Sequence, residues 1–472
     1  MSEIAAPDDL APPASASPPA GRAPRFTQGN ILRHVAVMSA TGGIGLMAIF
    51  LVDTLSLLYV SWLGSETKLA GVGFASMILF FAMSFNIGLM IAVSALVSKA
   101  LGARDREHAR RLAASGVTFM TLAAGLVAAV LLIFRNDLLS LLHAKAEAAA
   151  IASQFLLITL PANIFMGLGI AYSAVLRAEG DARRAMYVTL GGGIATAFLD
   201  PLLIFGFKLD VMGAAWATVL TRLIFSAIGY HGAVVVHDLV ARPRLSDLSH
   251  HAIPLAAIAG PAILTNLATP VGNAWLASVV AQFGDTAVAA AAVIDRLTPL
   301  AFGGLFALSG AVGPVLGQNW GAGLYPRMKD GLAKSLQLST GYVLVMWIIL
   351  VLSRNQIVAV FNLTGQAAQL VQLYCWISGP AWICIGALFV ANASFNNLGF
   401  PLLATGFNWG RVLLGTMPFA SIGAMYGGPF GAMAASLAAG AGFGLVAAWV
   451  AWSTLGKIAS EGRMPPAGRG RG

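Results

Sequence analysis

Charged side chains are scarce in this 472-residue chain: they make up 10% of it, whereas hydrophobic residues make up 58% and the mean hydropathy is +0.80. A soluble protein carries about 25% charged residues, which cover its surface. The outer surface of this protein must therefore face an apolar medium. This excludes a water-soluble enzyme, a nucleic-acid-binding protein and a disordered scaffold. The apolar runs are long and continuous, which favours membrane-spanning helices over the alternating segments of a barrel.

Cysteine is almost absent as well. Cys375 and Cys384 lie in one apolar run, about 13.5 Å apart along a helix, which is too far for a disulfide. The sequence has no His/Cys metal spacing, no phosphate-binding Gly-Lys-Ser loop and no catalytic constellation. We therefore expect neither an enzyme nor a cofactor, and the lack of an ATP site favours transport driven by an ion gradient.

Twelve segments are long and apolar enough to cross a membrane as helices. The fold class we predict is an all-α polytopic membrane protein with twelve transmembrane helices. Residues 1–30, rich in Pro, Ala and Ser, predict a disordered cytoplasmic tail, and residues 457–472 a short basic one. The predicted spans are about 33–61, 69–98, 112–134, 148–175, 186–206, 212–236, 253–282, 287–316, 335–353, 367–394, 402–425 and 430–455.

The distribution of basic residues predicts the orientation. Of the 28 Lys and Arg residues, 20 fall in segments on the side of the termini and 5 in the loops on the other side. Arg222, Arg296 and Arg411 lie within helices. Basic residues collect in cytoplasmic loops. We therefore expect both termini in the cytoplasm and a multi-pass protein of the plasma (inner) membrane.

The chain repeats itself at an offset near 219 residues. Residues 97–103 match 316–322, and residues 212–218 match 430–436. Six helices per repeat would put two lobes in parallel orientation, related by a pseudo-two-fold axis along the membrane normal, as in many secondary transporters. The predicted lobes are residues 31–236 and 252–456, joined by a polar cytoplasmic linker at 237–251.

Seven short stretches of the chain carry recognisable motifs: 52–54, 62–64, 94–103, 176–181, 199–206, 317–323 and 395–399. In this order and spacing they resemble the MATE (multidrug and toxic compound extrusion) transporters. The resemblance runs from about residue 31 to 455, and it implies two six-helix lobes that form a V and export organic compounds in exchange for a cation.

Acidic residues inside the predicted helices are candidates for the ion site, since a charge in the bilayer is costly. Asp53 and Asp200 each lie about 15 Å below the outer end of their helix, and Thr218 lies about 12 Å below it. Thr196 is four residues before Asp200, on the same helix face. Two interpretations remain open: the acids fix helix packing, or Asp53 and Asp200 share a proton or bind Na⁺.

The family resemblance supports the second interpretation. It implies that aspartates matching Asp53 and Asp200 and a threonine matching Thr218 bind the coupling cation. The family usually has Asn where this chain has Thr196, whose hydroxyl is a poorer Na⁺ ligand. We therefore expect H⁺ rather than Na⁺ as the coupling ion, with Na⁺ at Asp53 and Asp200 as the alternative.

The second half of the chain offers different polar residues. Asn273 occupies the repeat position of Asp53, and Thr269 stands where one branch of the family has a glutamate. We expect Asp295 to form a structural salt bridge with Arg411 or Arg296. Asn163 and Asn266 could line the cavity or bond between helices.

The first helix lacks a feature common in the family. A proline usually stands near the position of Met38, and here Gly42, Gly43 and Gly45 follow instead. Glycines bend a membrane helix less sharply than proline does.

These observations favour a monomeric H⁺-coupled antiporter of amphipathic, cationic organic compounds. The partners we expect are the small-molecule cargo and the surrounding lipid, not nucleic acid. The alternative is a lipid-linked precursor flippase, which should place several arginines in its cavity to pair with phosphate. Only three arginines lie within the predicted helices, which disfavours a flippase. A channel is a third possibility, which the repeat disfavours.

The predicted topology places residues 101–111 and 237–251 in the cytoplasm and 64–68 and 207–210 outside. A cysteine introduced at Ser65 should react with an impermeant thiol reagent in intact cells. If this cysteine is protected in intact cells and is labelled only after lysis, the predicted topology is wrong.

Overall fold

The computed structural model describes residues 24–142 and 144–461. Its helices are α1 (Ile31–Ser61), α2 (Glu66–Gly102), α3 (Arg106–Ile133), α4 (Arg135–Leu141), α5 (Ala146–Thr159), α6 (Asn163–Glu179), α7 (Ala182–Pro201), α8 (Asp210–Tyr230), α9 (Leu245–Ala281), α10 (Asp285–Phe302), α11 (Gly304–Gly321), α12 (Tyr325–Val360), α13 (Gly365–Asn397), α14 (Pro401–Gly410) and α15 (Met417–Glu461). Three π-helical segments, Leu202–Gly206, His231–Val236 and Arg411–Thr416, continue α7, α8 and α14.

These helices build twelve membrane spans. Ten helical stretches of the described residues are long and apolar enough to cross a membrane, and α5 with α6, bent by 53°, makes another. The stretch that ends with α15 supplies the twelfth, because Gly427 and Gly428 have non-helical dihedral angles and split it in two. Gly428 has a φ of +57°, which suits glycine at this turn. The predicted fold class is confirmed.

Two of the predicted spans are broken rather than continuous. The fourth breaks at Pro161, between α5 and α6, because proline lacks the N–H that would continue the helix. The eighth breaks at Gly303, between α10 and α11.

The spans form two lobes, α1–α8 and α9–α15. One apolar cluster lies within the first lobe, and two clusters cross between the lobes, through the start of α1 and through α9. Large apolar side chains also cover the outside: Phe198 is 74% exposed and Leu352 is 70% exposed. A surface this apolar is stable in lipid, where no polar coat is needed.

Helix α1 is uninterrupted from Ile31 to Ser61. Its glycines allow close packing: a Cβ on Gly42 would lie 3.6 Å from the Ala307 side chain, and one on Gly45 would lie 2.1 Å from the Thr189 hydroxyl. These glycines therefore bring α1 against α7 and α11, and they do not break the helix.

One end of the bundle, called the basic end here, holds the start of α1, the end of α2 and the end of α11. There α2 of the first lobe and α11 of the second approach to backbone contact. A Cβ on Gly102 would lie 2.1 Å from the carbonyl oxygen of Gln318, and one on Gly321 would lie 1.9 Å from that of Lys99. Only glycine permits this contact between the lobes.

The segment between the lobes is bound to the first lobe at the basic end. Arg106 donates to the carbonyl oxygen of His237 at 2.6 Å, and the N–H of Ala241 donates to that of Arg110 at 3.2 Å. Arg110 also pairs with Asp238 at 2.7 Å. Helix α9 begins at Leu245 rather than near residue 253, so the polar run is partly helical.

Asp181 belongs to the same set of contacts. Burial alone would raise the pKa of this carboxyl, but hydrogen bonds from the backbone of Arg184, from His237 and from the Arg184 guanidinium lower it overall. Asp181 therefore stays charged and caps α7.

The tail expected to be disordered up to residue 30 is structured from Pro24 onwards. Arg25–Thr27 form a 3₁₀ turn and Phe26 is buried. The rest of that tail, residues 1–23, and the second tail after Glu461 lie outside the described residues.

Replacing Gly102 by alanine should lower the thermal stability of the purified protein by a few degrees, because the methyl group meets backbone atoms. Overpacking of this kind costs about 1–3 kcal/mol. Gly73 on the same helix has open space around its Cα, so Gly73→Ala is the matched control and should not destabilise. The melting temperature in detergent measures both, and equal values for the two variants would contradict the backbone contact.

Candidate functional site

The candidate ion site lies inside the first lobe and centres on Asp200. This residue is 1% exposed and stands one position before Pro201, where α7 passes into the π-helical segment. Proline and a π-turn both loosen the regular backbone bonding of a helix. The hydroxyl of Ser56 on α1 donates to the Asp200 carboxylate. The structure thus joins α1 and α7 through a buried acid.

Asp53 lies on α1, three residues before Ser56. Residues three apart share a helix face, so position 53 belongs to the face of α1 whose next turn reaches Asp200. The side chain of Asp53 is outside the described part of the structure, and the sharing of a proton between Asp53 and Asp200 stays a prediction.

The threonines of the site connect α7 with α8. The Thr196 hydroxyl lies 2.9 Å from that of Thr221 and 3.1 Å from the carbonyl oxygen of Gly192. Thr218 donates to the carbonyl oxygen of Ala214 at 2.9 Å. All three threonines are half-buried.

Ser56 and Thr221 were not among the residues singled out from the sequence. Both follow a predicted site residue by three positions, Asp53 in one case and Thr218 in the other. The helical period would have indicated them, since a residue three positions on lies on the same face.

The second lobe contains a different set of contacts. The Arg411 guanidinium donates to the Thr269 hydroxyl at 3.2 Å, and its Nε is buried without a hydrogen-bond partner. The salt bridge expected for Asp295 is absent from the described part of the chain: this side chain is exposed and makes no ion pair. The pairing fails because Arg411 turns towards α9 instead.

Of the three asparagines predicted from the sequence, one bonds between helices, one bonds within its own helix and one is exposed. Asn163 is 2% exposed; it accepts from Asn86 at 3.2 Å and donates to the Ala124 carbonyl at 3.1 Å, so it bonds between helices. Asn266 donates within its own helix, to Ala262 at 2.8 Å. Asn273, at the repeat position of Asp53, is exposed.

The chemistry available at the site is that of oxygen ligands. One buried carboxylate with the Ser56 hydroxyl bonded to it suits a proton or a hard cation. Within residues 24–142 and 144–461, no group of three or more His, Cys, Asp or Glu could hold a metal ion.

Two lobes of six helices, an apolar exterior and a buried intramembrane acid define a multi-pass membrane transporter. The MatE family model matches residues 43–202 and 261–422, one stretch in each lobe and together more than half of the chain. The chain belongs to the MatE family.

Named relatives include transporters of two kinds. The chain is 26% identical over 414 residues to a protein of Shewanella oneidensis named FAD transporter, a match that covers 86% of this chain and 90% of that one. It is 26% identical over 317 residues to the multidrug export protein MepA of Staphylococcus aureus, covering 65% of this chain and 68% of the relative.

Solved structures share the fold. The Vibrio cholerae MATE transporter VcmN in its bent form superposes with a TM-score of 0.86 at 23% identity, over 91% of this chain and 98% of that one. The outward-facing conformation of a multidrug resistance MATE transporter gives a TM-score of 0.84 at 20% identity, over 94% and 99% of the two chains.

Proposed function

We propose that this protein exports amphipathic, cationic organic compounds across the plasma membrane in exchange for H⁺. The observation that carries the proposal is the buried Asp200 carboxylate, which accepts from Ser56 on α1 in the first lobe. An ionisable group inside the membrane is costly, and it is retained where it moves ions. Both termini are cytoplasmic in this proposal, and the protein acts as a monomer.

H⁺ is favoured over Na⁺ as the coupling ion. The Thr196 hydroxyl donates to the Gly192 carbonyl of its own helix and forms a hydrogen bond with Thr221 of α8. It therefore contributes to helix packing. A proton needs one carboxylate oxygen, whereas Na⁺ needs several oxygen ligands. Protonation of Asp200 would weaken the bond from Ser56, because a neutral carboxyl is the poorer acceptor. Proton binding would thus act on the contact between α1 and α7.

Replacing either Asp53 or Asp200 by asparagine should abolish gradient-driven efflux in proteoliposomes, by 100-fold or more, while the protein still folds and inserts. Asparagine keeps the size of the side chain but cannot exchange a proton. Asp295→Asn is the matched control: it removes an acid of the second lobe and should have a milder effect. If Asp295→Asn is inactive and Asp53→Asn is active, the ion site lies in the second lobe and the proposed placement is wrong.

The coupling ion is tested in the same vesicles. A pH gradient alone should drive cargo movement without Na⁺, and a protonophore should stop it. Transport that requires Na⁺ and ignores the pH gradient would contradict H⁺ coupling.

A second candidate cargo is an anionic, phosphate-bearing aromatic compound such as FAD. Two observations favour it: the similarity to a protein named FAD transporter, and Arg411, whose buried Nε lacks a hydrogen-bond partner while its Nη2 reaches Thr269. A guanidinium with a free donor suits phosphate. The other intramembrane arginines are placed differently, since Arg222 donates to the Thr159 carbonyl at 2.7 Å and Arg296 is exposed.

The two cargoes are distinguished by measuring FAD and ethidium uptake side by side. If FAD is the cargo, Arg411→Gln should weaken its binding about tenfold, or about 1.4 kcal/mol, and Arg296→Gln should leave it unchanged. If ethidium is transported and FAD is not, the result supports a cationic cargo and excludes FAD. Size-exclusion profiles control for misfolding.

A further inference from the structure

Residues 24–29, just before α1, lie at the basic end and contact both lobes. They begin with the 3₁₀ turn Arg25–Thr27, in which the Thr27 hydroxyl donates to the Pro24 carbonyl at 2.7 Å. The ring of Phe26 at the centre of the turn is 1% exposed. A fully buried aromatic side chain gives this short segment a large apolar contact.

The first lobe receives the segment at Gly180, between α6 and α7. Arg25 donates to the Gly180 carbonyl at 2.9 Å. Gly180 has a φ of +94°, and a Cβ there would lie 3.0 Å from the Phe26 ring and 3.0 Å from the Arg25 side chain. Glycine is therefore needed at this position both for the backbone conformation and for the approach of Phe26.

The second lobe binds the backbone of the same residue. The N–H of Phe26 donates to the Gln318 side chain at 2.8 Å, and its carbonyl oxygen accepts from Asn319 at 3.1 Å and from Arg327 at 3.2 Å. Arg327 also donates to the Gly29 carbonyl at 3.1 Å. Both polar backbone groups of the buried Phe26 are thus satisfied by α11 and α12.

Gln318 completes the connection between the lobes. Its amide nitrogen donates to the Ala178 carbonyl of α6 at 2.7 Å while its oxygen accepts from Phe26. One side chain of the second lobe therefore binds the first lobe and the segment at once. If the lobes separated at this end, Phe26 could not keep its contacts with both Gly180 and Gln318.

We infer that residues 24–29 are a latch that holds the two lobes closed at the basic end and must leave its seat before the lobes open there. The latch requires that the lobes part and close during transport, and so rests on the exchange cycle proposed above. It adds a step to that cycle: the release of Phe26 from between the lobes. Removal of the Phe26 ring should shift the protein towards the form that is open at this end.

Single cysteines report the latch and the lobes separately. In a background with Cys375→Ala and Cys384→Ala, Pro24→Cys reports the seat of the latch, because Pro24 is buried and this variant keeps the Phe26 ring. Ser98→Cys reports the lobe contact, because Ser98 is fully buried and faces Gly317 of α11. Gln28→Cys is the control, since Gln28 is exposed with the latch seated. The variants are labelled in proteoliposomes with N-ethylmaleimide, with and without an imposed pH gradient and ethidium.

The latch predicts that Pro24→Cys and Ser98→Cys are both protected at rest and that both react during turnover, while Gln28→Cys reacts throughout. It also predicts that Phe26→Ala raises the resting reactivity of Ser98→Cys about tenfold or more, since loss of a buried ring is among the most costly substitutions. Leu32→Ala, which truncates an exposed side chain of α1, should leave that reactivity unchanged.

Two results would overturn the latch. If Ser98→Cys reacts during turnover while Pro24→Cys stays protected, the lobes open with the latch seated, and the proposed exchange survives without it. If Ser98→Cys stays protected while ethidium is transported, the lobes do not part at this end, and the latch fails with them. Loss of ethidium transport in the unmodified protein would instead count against the proposed function.

Discussion

The closeness of α2 and α11 at the basic end is the contact on which the rest of the arrangement depends. Helices without a hydrophobic driving force between them associate through small residues that let their backbones touch. Gly102 and Gly321 provide this contact, each against a carbonyl of the opposite helix. Because the helices meet there, the side chains of Gln318 and Asn319 reach the first lobe and the turn before α1. Among residues 24–142 and 144–461, the lobes therefore meet at this end through backbone contacts and hydrogen bonds of side-chain amides.

The two lobes repeat their fold but differ in the charge they hold. The first lobe buries an acid, Asp200, which accepts a hydrogen bond from the Ser56 hydroxyl of α1. The second lobe has Arg411 against the hydroxyl of Thr269, with Asn273 where the repeat would place an acid. A repeated scaffold thus holds a buried acid in one half and an arginine with a buried Nε atom in the other.

The sequence predicted the architecture well because it follows from length and hydropathy. Twelve apolar runs, a repeat near 219 residues and the depth of Asp200 in its helix were readable without coordinates. Contacts between helices were harder, because they depend on rotation and tilt. Ser56 was missed although its spacing from Asp53 pointed to it, and the bond expected between Asp295 and Arg411 did not form. The turn at Phe26 could not be predicted at all, since Pro, Ala and Ser around it indicate disorder and its partners lie about 290 residues away along the chain.

The attachment of the interlobe segment has a mechanical consequence. Arg106 and Arg110 hold residues 237–241 against the first lobe, and α9 starts at Leu245 as part of the second. The covalent connection that can flex between them is reduced to the exposed residues Arg242, Pro243 and Arg244. A displacement of Leu245 relative to Ala241 would have to be taken up by the few dihedral angles of this tripeptide. Proline fixes one of those angles, so this connection between the halves of the chain is both short and stiff.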